Sequence, residues 1–247
     1  MSTEKEIAKK GDFVELKYTG YANGNIFDSN IKEDLNKINE KAEPKETIIV
    51  VGERMVVPGL DKAIEGKEIG KEYEIEVKYK EGFGERRKEL VKTIPLKIFT
   101  QKNINPYPGA VLAMDDALAK VIAVSGARVL TDFNNPLAGK DLKYKFTIAR
   151  KVTDDKERAK ALFGAILGFV PEFEVNDKVI VKGPKEYEVF VSAFKDRFKE
   201  MIGKELVFEE KKESKEDKKE KAKKKNPKHG EEGHRHEEGE SAGEQAE

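Results

Sequence analysis

The sequence predicts an α+β protein: a curved antiparallel sheet wrapped on one short helix, with an inserted mainly-β domain and a C-terminal α+β domain. Three observations carry this. Separate segments alternate apolar and polar residues with the period of two that half-buried strands require. One stretch between two of them has helical spacing instead. Two strand segments that look like sheet neighbours are held apart by residues 80–141, too long a stretch for a loop in a compact domain.

In chain order, Val14, Leu16 and Tyr18 share one face of the first strand, and the run breaks at Gly20, Asn23, Gly24 and Asn25. Phe27-Asp28 follows at once, a bulky aromatic beside a carboxylate. "TIIVVG" (47–52) is a continuous apolar strand closed by Gly52. "PGLDKAIEGKEIG" (58–70) puts Leu60, Ala63 and Ile64 on one face of a short helix that must end near Gly66. "YEIEVKY" (73–79) sets Tyr73, Ile75, Val77 and Tyr79 against Glu74, Glu76 and Lys78. "LKYKFTIARKV" (142–152) repeats that pattern with Leu142, Tyr144, Phe146 and Ile148, and is expected to pair with it.

The stretch between those two strands has strand signals of its own: "AKVIAVSGARVLTDF" (119–133) reads as a hairpin about Ser125-Gly126, and "KELVKTIPLKIF" (88–99) and "GAVLAM" (109–114) supply more apolar residues. Inserting such a unit costs little where the ends of the host loop are already close together. After Val152, "DDKERAKALFGAIL" (154–167) opens on Thr153 or Asp154 as N-cap, with Glu157 placed for a capping box. "KVIV" (178–181) and "YEVFV" (187–191) read as strands, "SAFKDRFKEMIG" (192–203) as a helix ending at Gly203, and "ELVFEE" as a closing strand. No large apolar side chain follows Phe208, so what comes after cannot repay the entropy of ordering. The expected division is a discontinuous domain at 1–87 and 134–153, an insert at 88–133, a C-terminal domain at 154–209 and a disordered charged tail at 210–247.

Composition excludes several function classes. Charged residues make up 39% of the 247 and hydrophobic ones 37%, with a formal net charge of zero, so bulk electrostatics points to neither nucleic acid nor membrane. There is no apolar run of transmembrane length, and the N-terminal residues do not read as a secretory signal. The lack of cysteine removes disulfides and thiolate zinc sites and fits a cytoplasmic location. His229, His234 and His236 all lie in the tail, which leaves the folded part no imidazole for acid–base work. "GFGERR" (82–87) lacks the third glycine of a dinucleotide fingerprint, and Asp115-Asp116 and Asp154-Asp155 are adjacent rather than converging. No cofactor is expected.

What remains is an apolar set with one acid. Tyr18, Phe27, Val56, Val57, Leu60 and Phe83 stand beside turn glycines or at element ends. Each alone reads better as core filling; as a set they read as the wall of an apolar pocket. Asp28 reads either as that pocket's polar group or as an Asx-turn former beside Ser29-Asn30. Rotation about an X–Pro bond is a chemistry that needs no nucleophile and no proton carrier.

These residues match a known pattern. "VELKYTGYANGNIFDSN" resembles the signature of the FKBP-type peptidyl-prolyl cis-trans isomerases, a hydrophobic strand followed by Y-T-G and F-D-S. "VVGERMVVPGLDKAIEGKEIGKEYEIEV" is similar to the family's helix entry and following strand, "EGFGER" to its A-Y-G-x loop and "LAGKDLKYKFTI" to its last strand, all in family order. The resemblance implies a proline pocket with Tyr18, Phe27 and Asp28 on one side. It further implies Val56 and Val57 over the helix entry, the Val57 N–H as a ligand donor, Leu60 as floor, and Phe83 and Tyr144 closing the pocket. Many relatives have Trp where this chain has Leu60, Tyr where it has Phe83, and Phe where it has Tyr144. The interruption resembles the insert-in-flap domain of the long archaeal and SlyD-like branch, which implies chaperone-like binding of unfolded or partly folded proteins that contain X–Pro bonds. A non-catalytic module that binds proline-containing or apolar segments is the alternative. The tail's "HGEEGHRH" resembles the histidine-rich SlyD tails, and so offers divalent-metal handling through His229, His234 and His236 as a third reading.

Overall fold

The computed structural model describes residues 5–114 and 117–211. The chain begins with β1 (Phe13–Ala22), β2 (Asn25–Ser29), α1 (Lys32–Ile38), β3 (Ile48–Val50), α2 (Pro58–Ile64) and β4 (Glu72–Val77). A second group follows: β5 (Val91–Pro95), α3 (Leu96–Gln101), β6 (Val111–Met114), β7 (Ala117–Ser125) and β8 (Arg128–Asp132). The last elements are β9 (Leu142–Lys151), α4 (Asp155–Leu167), β10 (Glu172–Val175), β11 (Lys178–Gly183), α5 (Tyr187–Ile202) and β12 (Glu205–Glu210). Among the described residues, no helix is long and apolar enough to cross a membrane.

The first sheet runs β2-β1-β9-β4, with β3 also paired to β1, and all its pairs are antiparallel. β1 turns into β2 through Asn23 and Gly24, whose φ angles of 50° and 80° make the two-residue turn that matches strand twist. β4 pairs with β9 as its pattern predicts, Tyr73 opposite Phe146 and Ile75 opposite Tyr144. The strand stops two residues short of the expected end, however. Tyr79 donates its backbone N–H to Asp141 Oδ1 at 2.9 Å and Lys78 pairs with the same carboxylate at 2.8 Å, which draws the chain into a 3-10 turn at Tyr79–Glu81.

Helix α2 lies across this sheet. Pro58 sits in its first turn, where no N–H is missed. Gly59 lets it approach β4 closely: a Cβ there would stand 2.5 Å from Val77 Cγ1. Leu60 and Ile64 then meet Val14, Leu16, Ile49, Val77, Leu142, Phe146 and Ile148 in one core.

A second sheet, β5-β8-β7-β6, lies between β4 and β9 in sequence, with a small core of Phe99, Ala110, Val121 and Val129. Its hairpin turns at Ser125–Arg128. "KELVKTIPLKIF" divides at Pro95 into β5 and the short helix α3. Both ends of this segment meet at a neck. Arg87 N donates to Asn134 Oδ1 (2.8 Å) and Asn134 Nδ2 donates back to the Arg87 carbonyl (2.9 Å).

The third sheet is β10-β11-β12. Here "YEVFV" is a correction: residues 187–191 are the first turns of α5, not a strand. β11 and β12 are parallel, and a parallel pair needs a crossover, which α5 supplies. Tyr187, Val191, Phe194, Phe198 and Ile202 recur at helical spacing along it and pack into the third core. A short β-branched and aromatic run cannot be told from helix by period alone. α4 is capped by Asp154, whose Oδ1 accepts the Glu157 N–H at 2.8 Å. The capping box is only half formed, because the Glu157 carboxylate accepts from Arg150 Nη1 at 2.8 Å.

The third core also takes in Phe13, Val50 and Val152 from the margin of the first sheet. Arg158 lays its guanidinium 4.5 Å above the Phe13 ring. Arg150 holds Glu15 at 2.7 Å, Glu46 at 3.2 Å and Glu157 at 2.8 Å. The segment at 210–247, apart from its first two residues, lies outside the described residues, as do Asp115, Asp116, His229, His234 and His236.

Candidate active site

All eight expected residues line one cleft. Tyr18, Phe27, Asp28, Val56, Val57, Leu60, Phe83 and Tyr144 surround a volume of about 390 Å³, together with Met55. The cleft lies between the sheet and the N-terminal end of α2.

Leu60, the first inward residue of α2, is 1% exposed and forms the floor. Tyr144, on β9, is 3% exposed. Phe27 stands edge-on to both Tyr144 (centroids 5.9 Å apart, 85°) and Phe83 (6.0 Å, 83°), and Tyr18 tilts against Tyr144 at 6.3 Å. Such edge contacts suit aromatic quadrupoles and hold the walls apart. Gly20 makes room for this packing, since a Cβ there would stand 2.6 Å from Phe27 Cζ and 3.0 Å from Tyr144 Cε1.

The polar groups are few. Tyr18 donates its hydroxyl to Asp28 Oδ2 at 2.7 Å. Burial, reinforced by that hydrogen bond and the Asp28 charge, pushes the Tyr18 phenol upward from the ordinary tyrosine value. Burial also pushes Tyr144 up, to about 12, with the Asp28 charge adding to it. Both phenols are therefore neutral donors at neutral pH. Asp28 does not make the turn by itself. Its neighbour Asn30 accepts from Tyr18 N (2.8 Å) and donates to the Leu16 carbonyl (2.7 Å), and so replaces a missing strand partner and fixes where β2 ends. Ser29 is buried and bonds the Tyr18 carbonyl at 3.0 Å.

Two functional neighbours escaped the sequence reading. Met55 lines the cleft, and its Sδ accepts from Val50 N at 3.1 Å. Asp61 is 4% exposed and accepts the backbone N–H groups of Gly52 and Arg54, each at 2.9 Å. It thereby ties down the segment that carries Met55, Val56 and Val57. The available signal was a carboxylate next to Leu60 on the short helix. The Val57 carbonyl accepts from Leu60 N and Asp61 N (both 3.0 Å), while its own N–H has no partner among the described residues. No cluster of three or more metal-ligating side chains occurs among the described residues.

Parts of the chain match known families and proteins. A family model described as FKBP-type peptidyl-prolyl cis-trans isomerase matches residues 4–100, and one described as the FKBP26 IF domain matches residues 92–137. The chain is 32% identical over 145 residues to the short-type peptidyl-prolyl cis-trans isomerase of Methanocaldococcus jannaschii, covering 58% of this chain and 92% of that protein. It is 29% identical over 117 residues to the FKBP-type peptidyl-prolyl cis-trans isomerase SlyD of Haemophilus influenzae, covering 41% and 56%. It is 30% identical over 82 residues to the trigger factor of Halothermothrix orenii, covering 33% and 16%.

Proposed function

The chain belongs to the FKBP-type peptidyl-prolyl cis-trans isomerases, and from that premise we propose that X–Pro bonds turn in the cleft between α2, β2 and β9. One observation carries the assignment: eight residues from five separate stretches converge on one largely apolar cleft whose paired polar groups are Tyr18 and Asp28.

The chemistry follows from amide resonance. The barrier is about 18–20 kcal/mol because the planar bond has double-bond character. The planar form is also the more polar one. An apolar lining formed by Phe27, Val56, Val57, Leu60 and Phe83 solvates it less well than water does and penalises the twisted form less. That is differential binding of a transition state, which lowers the barrier without any proton transfer. Asp28, steadied by Tyr18, is the polar anchor beside the turning bond, and the unpaired Val57 N–H is a donor for a flanking carbonyl. The test is Asp28→Ala in a protease-coupled tetrapeptide assay. A charge-assisted hydrogen bond is worth about 1.5–3 kcal/mol, so kcat/KM is expected to fall roughly tenfold or more while the thermal midpoint barely moves. Unchanged turnover in the folded variant would remove Asp28 from the mechanism.

The substrates in this reading are unfolded or partly folded proteins, gathered by the inserted sheet. Ile94, Pro95, Ile98, Met114 and Phe133 line a groove of about 610 Å³ there, and Val111 and Leu118 are exposed on the same sheet. An apolar surface of this kind on so small a sheet is what a binder of unfolded chains requires.

A further inference from the structure

The cleft contains a donor that the isomerase reading leaves unused. Tyr144 is all but buried, lines the cleft, and has no hydrogen-bond partner for its hydroxyl among the described residues. The Tyr18 hydroxyl, by contrast, is already engaged, donating to Asp28 at 2.7 Å. Among the described residues Arg158 Nε is the one sealed side-chain polar atom without a partner, so the Tyr144 hydroxyl is not sealed. Tyr144 is one of the residues that line this cleft.

A phenol held this way is a preformed donor. It stands at an apolar wall without a protein partner, and an acceptor entering the cleft can take its hydrogen bond in place of water. The acceptors that a peptide brings are backbone carbonyls. The carbonyl of the turning bond itself is the wrong one, because donation to it favours the polar planar amide and holds back rotation. A flanking carbonyl does not change its charge as the X–Pro bond twists, so a hydrogen bond to it is equally strong in the ground and transition states.

Resting on the isomerase reading of this cleft, we propose that the Tyr144 hydroxyl is a substrate-binding donor to the carbonyl of the prolyl residue, and that it sets KM and leaves kcat alone. Uniform binding of this kind has that kinetic signature.

The test uses the full chain and two tetrapeptides, one normal and one with sulfur in place of the prolyl carbonyl oxygen. Sulfur is the poorer acceptor. Tyr144→Phe keeps the ring and its packing. With the normal peptide it is expected to raise KM roughly threefold to tenfold at unchanged kcat, the span of one neutral hydrogen bond. With the thioamide peptide the wild-type KM is expected to rise by a similar factor, and Tyr144→Phe to add nothing. The thioamide measurement on the wild-type chain stands even if the variant folds poorly. An unchanged KM in Tyr144→Phe, a loss confined to kcat, or an undiminished variant effect on the thioamide peptide overturns the proposal. A wild-type chain inactive on the normal peptide refutes the isomerase reading of the cleft instead.

Discussion

Tyr144 and Tyr18 are both held in their neutral form by burial, Tyr144 up to about 12. This has a consequence for pH. A folded pKa above the ordinary value of about 10 means that the unfolded chain ionises first. The stabilisation from the neutral phenol is whole below about pH 10 and is lost as pH rises through 10 towards 12. The thermal midpoint is therefore expected to be level from about pH 7 to 9 and to fall above 10, with Tyr144→Phe falling less steeply; thermal unfolding across that range measures it. A midpoint as high at pH 11 as at pH 8 contradicts the burial of these phenols. No histidine lies among the described residues, and kcat/KM is expected to show no imidazole step between about pH 6 and 8 in a pH-rate profile.

At the scale of elements, α2 does more than fill the core. Its side chain Leu60 is the pocket floor, its first carbonyl belongs to Val57, and its Asp61 holds the preceding segment by two backbone N–H groups. Helix and loop are thus tied to each other. Asp61→Ala leaves the Gly52 and Arg54 N–H groups without that carboxylate, at about 1–3 kcal/mol for each that stays buried. Stability is expected to drop by about 2 kcal/mol in a urea titration, and kcat/KM to fall with it as Val56 and Val57 loosen. Asp61→Asn keeps one acceptor oxygen and should lose less of both. Equal stability of Asp61→Ala and the wild type would rule out the clamp. β2 is set by a similar device: Asn30 bonds Tyr18 N and the Leu16 carbonyl, so the Phe27-Asp28 wall ends on a side chain rather than on another strand.

For the whole molecule, the neck between Arg87 and Asn134 decides how separable the insert is. Two hydrogen bonds between those residues, and an ion pair from Arg86 to Asp132 at 2.6 Å, bring the ends of the inserted segment together. Closing a short turn in its place has a small entropic cost. Replacing residues 88–133 with a short turn is expected to leave tetrapeptide isomerisation within about twofold and to abolish suppression of aggregation and catalysis on a refolding protein. Refolding catalysis that survives the deletion would make the insert structural only. The C-terminal unit is bound differently. It shares Phe13, Val50 and Val152 with the first sheet's margin, receives Arg150 of β9 at Glu157 and lays Arg158 over Phe13, so it is no loose appendage.

The sequence by itself determined what depends on local period and on residue type. The alternation in β1, β4 and β9 and the Pro58–Gly59 helix entry were legible because strand faces repeat every two residues and turns need particular side chains. Most of the cleft-lining residues were marked by their place beside turn glycines and element ends, and Tyr144 only by the family resemblance. Only the tertiary structure decided what depends on partners far along the chain. "YEVFV" became helix because a parallel β11–β12 pair needs a crossover. Tyr79 left its strand for Asp141, and Glu157 left its own cap for Arg150, each drawn by a charge that the local pattern does not contain. The Tyr144 hydroxyl and Asp61 took their roles the same way: burial and unmet hydrogen bonds arise only when distant segments close around a group, and no spacing in the sequence encodes them.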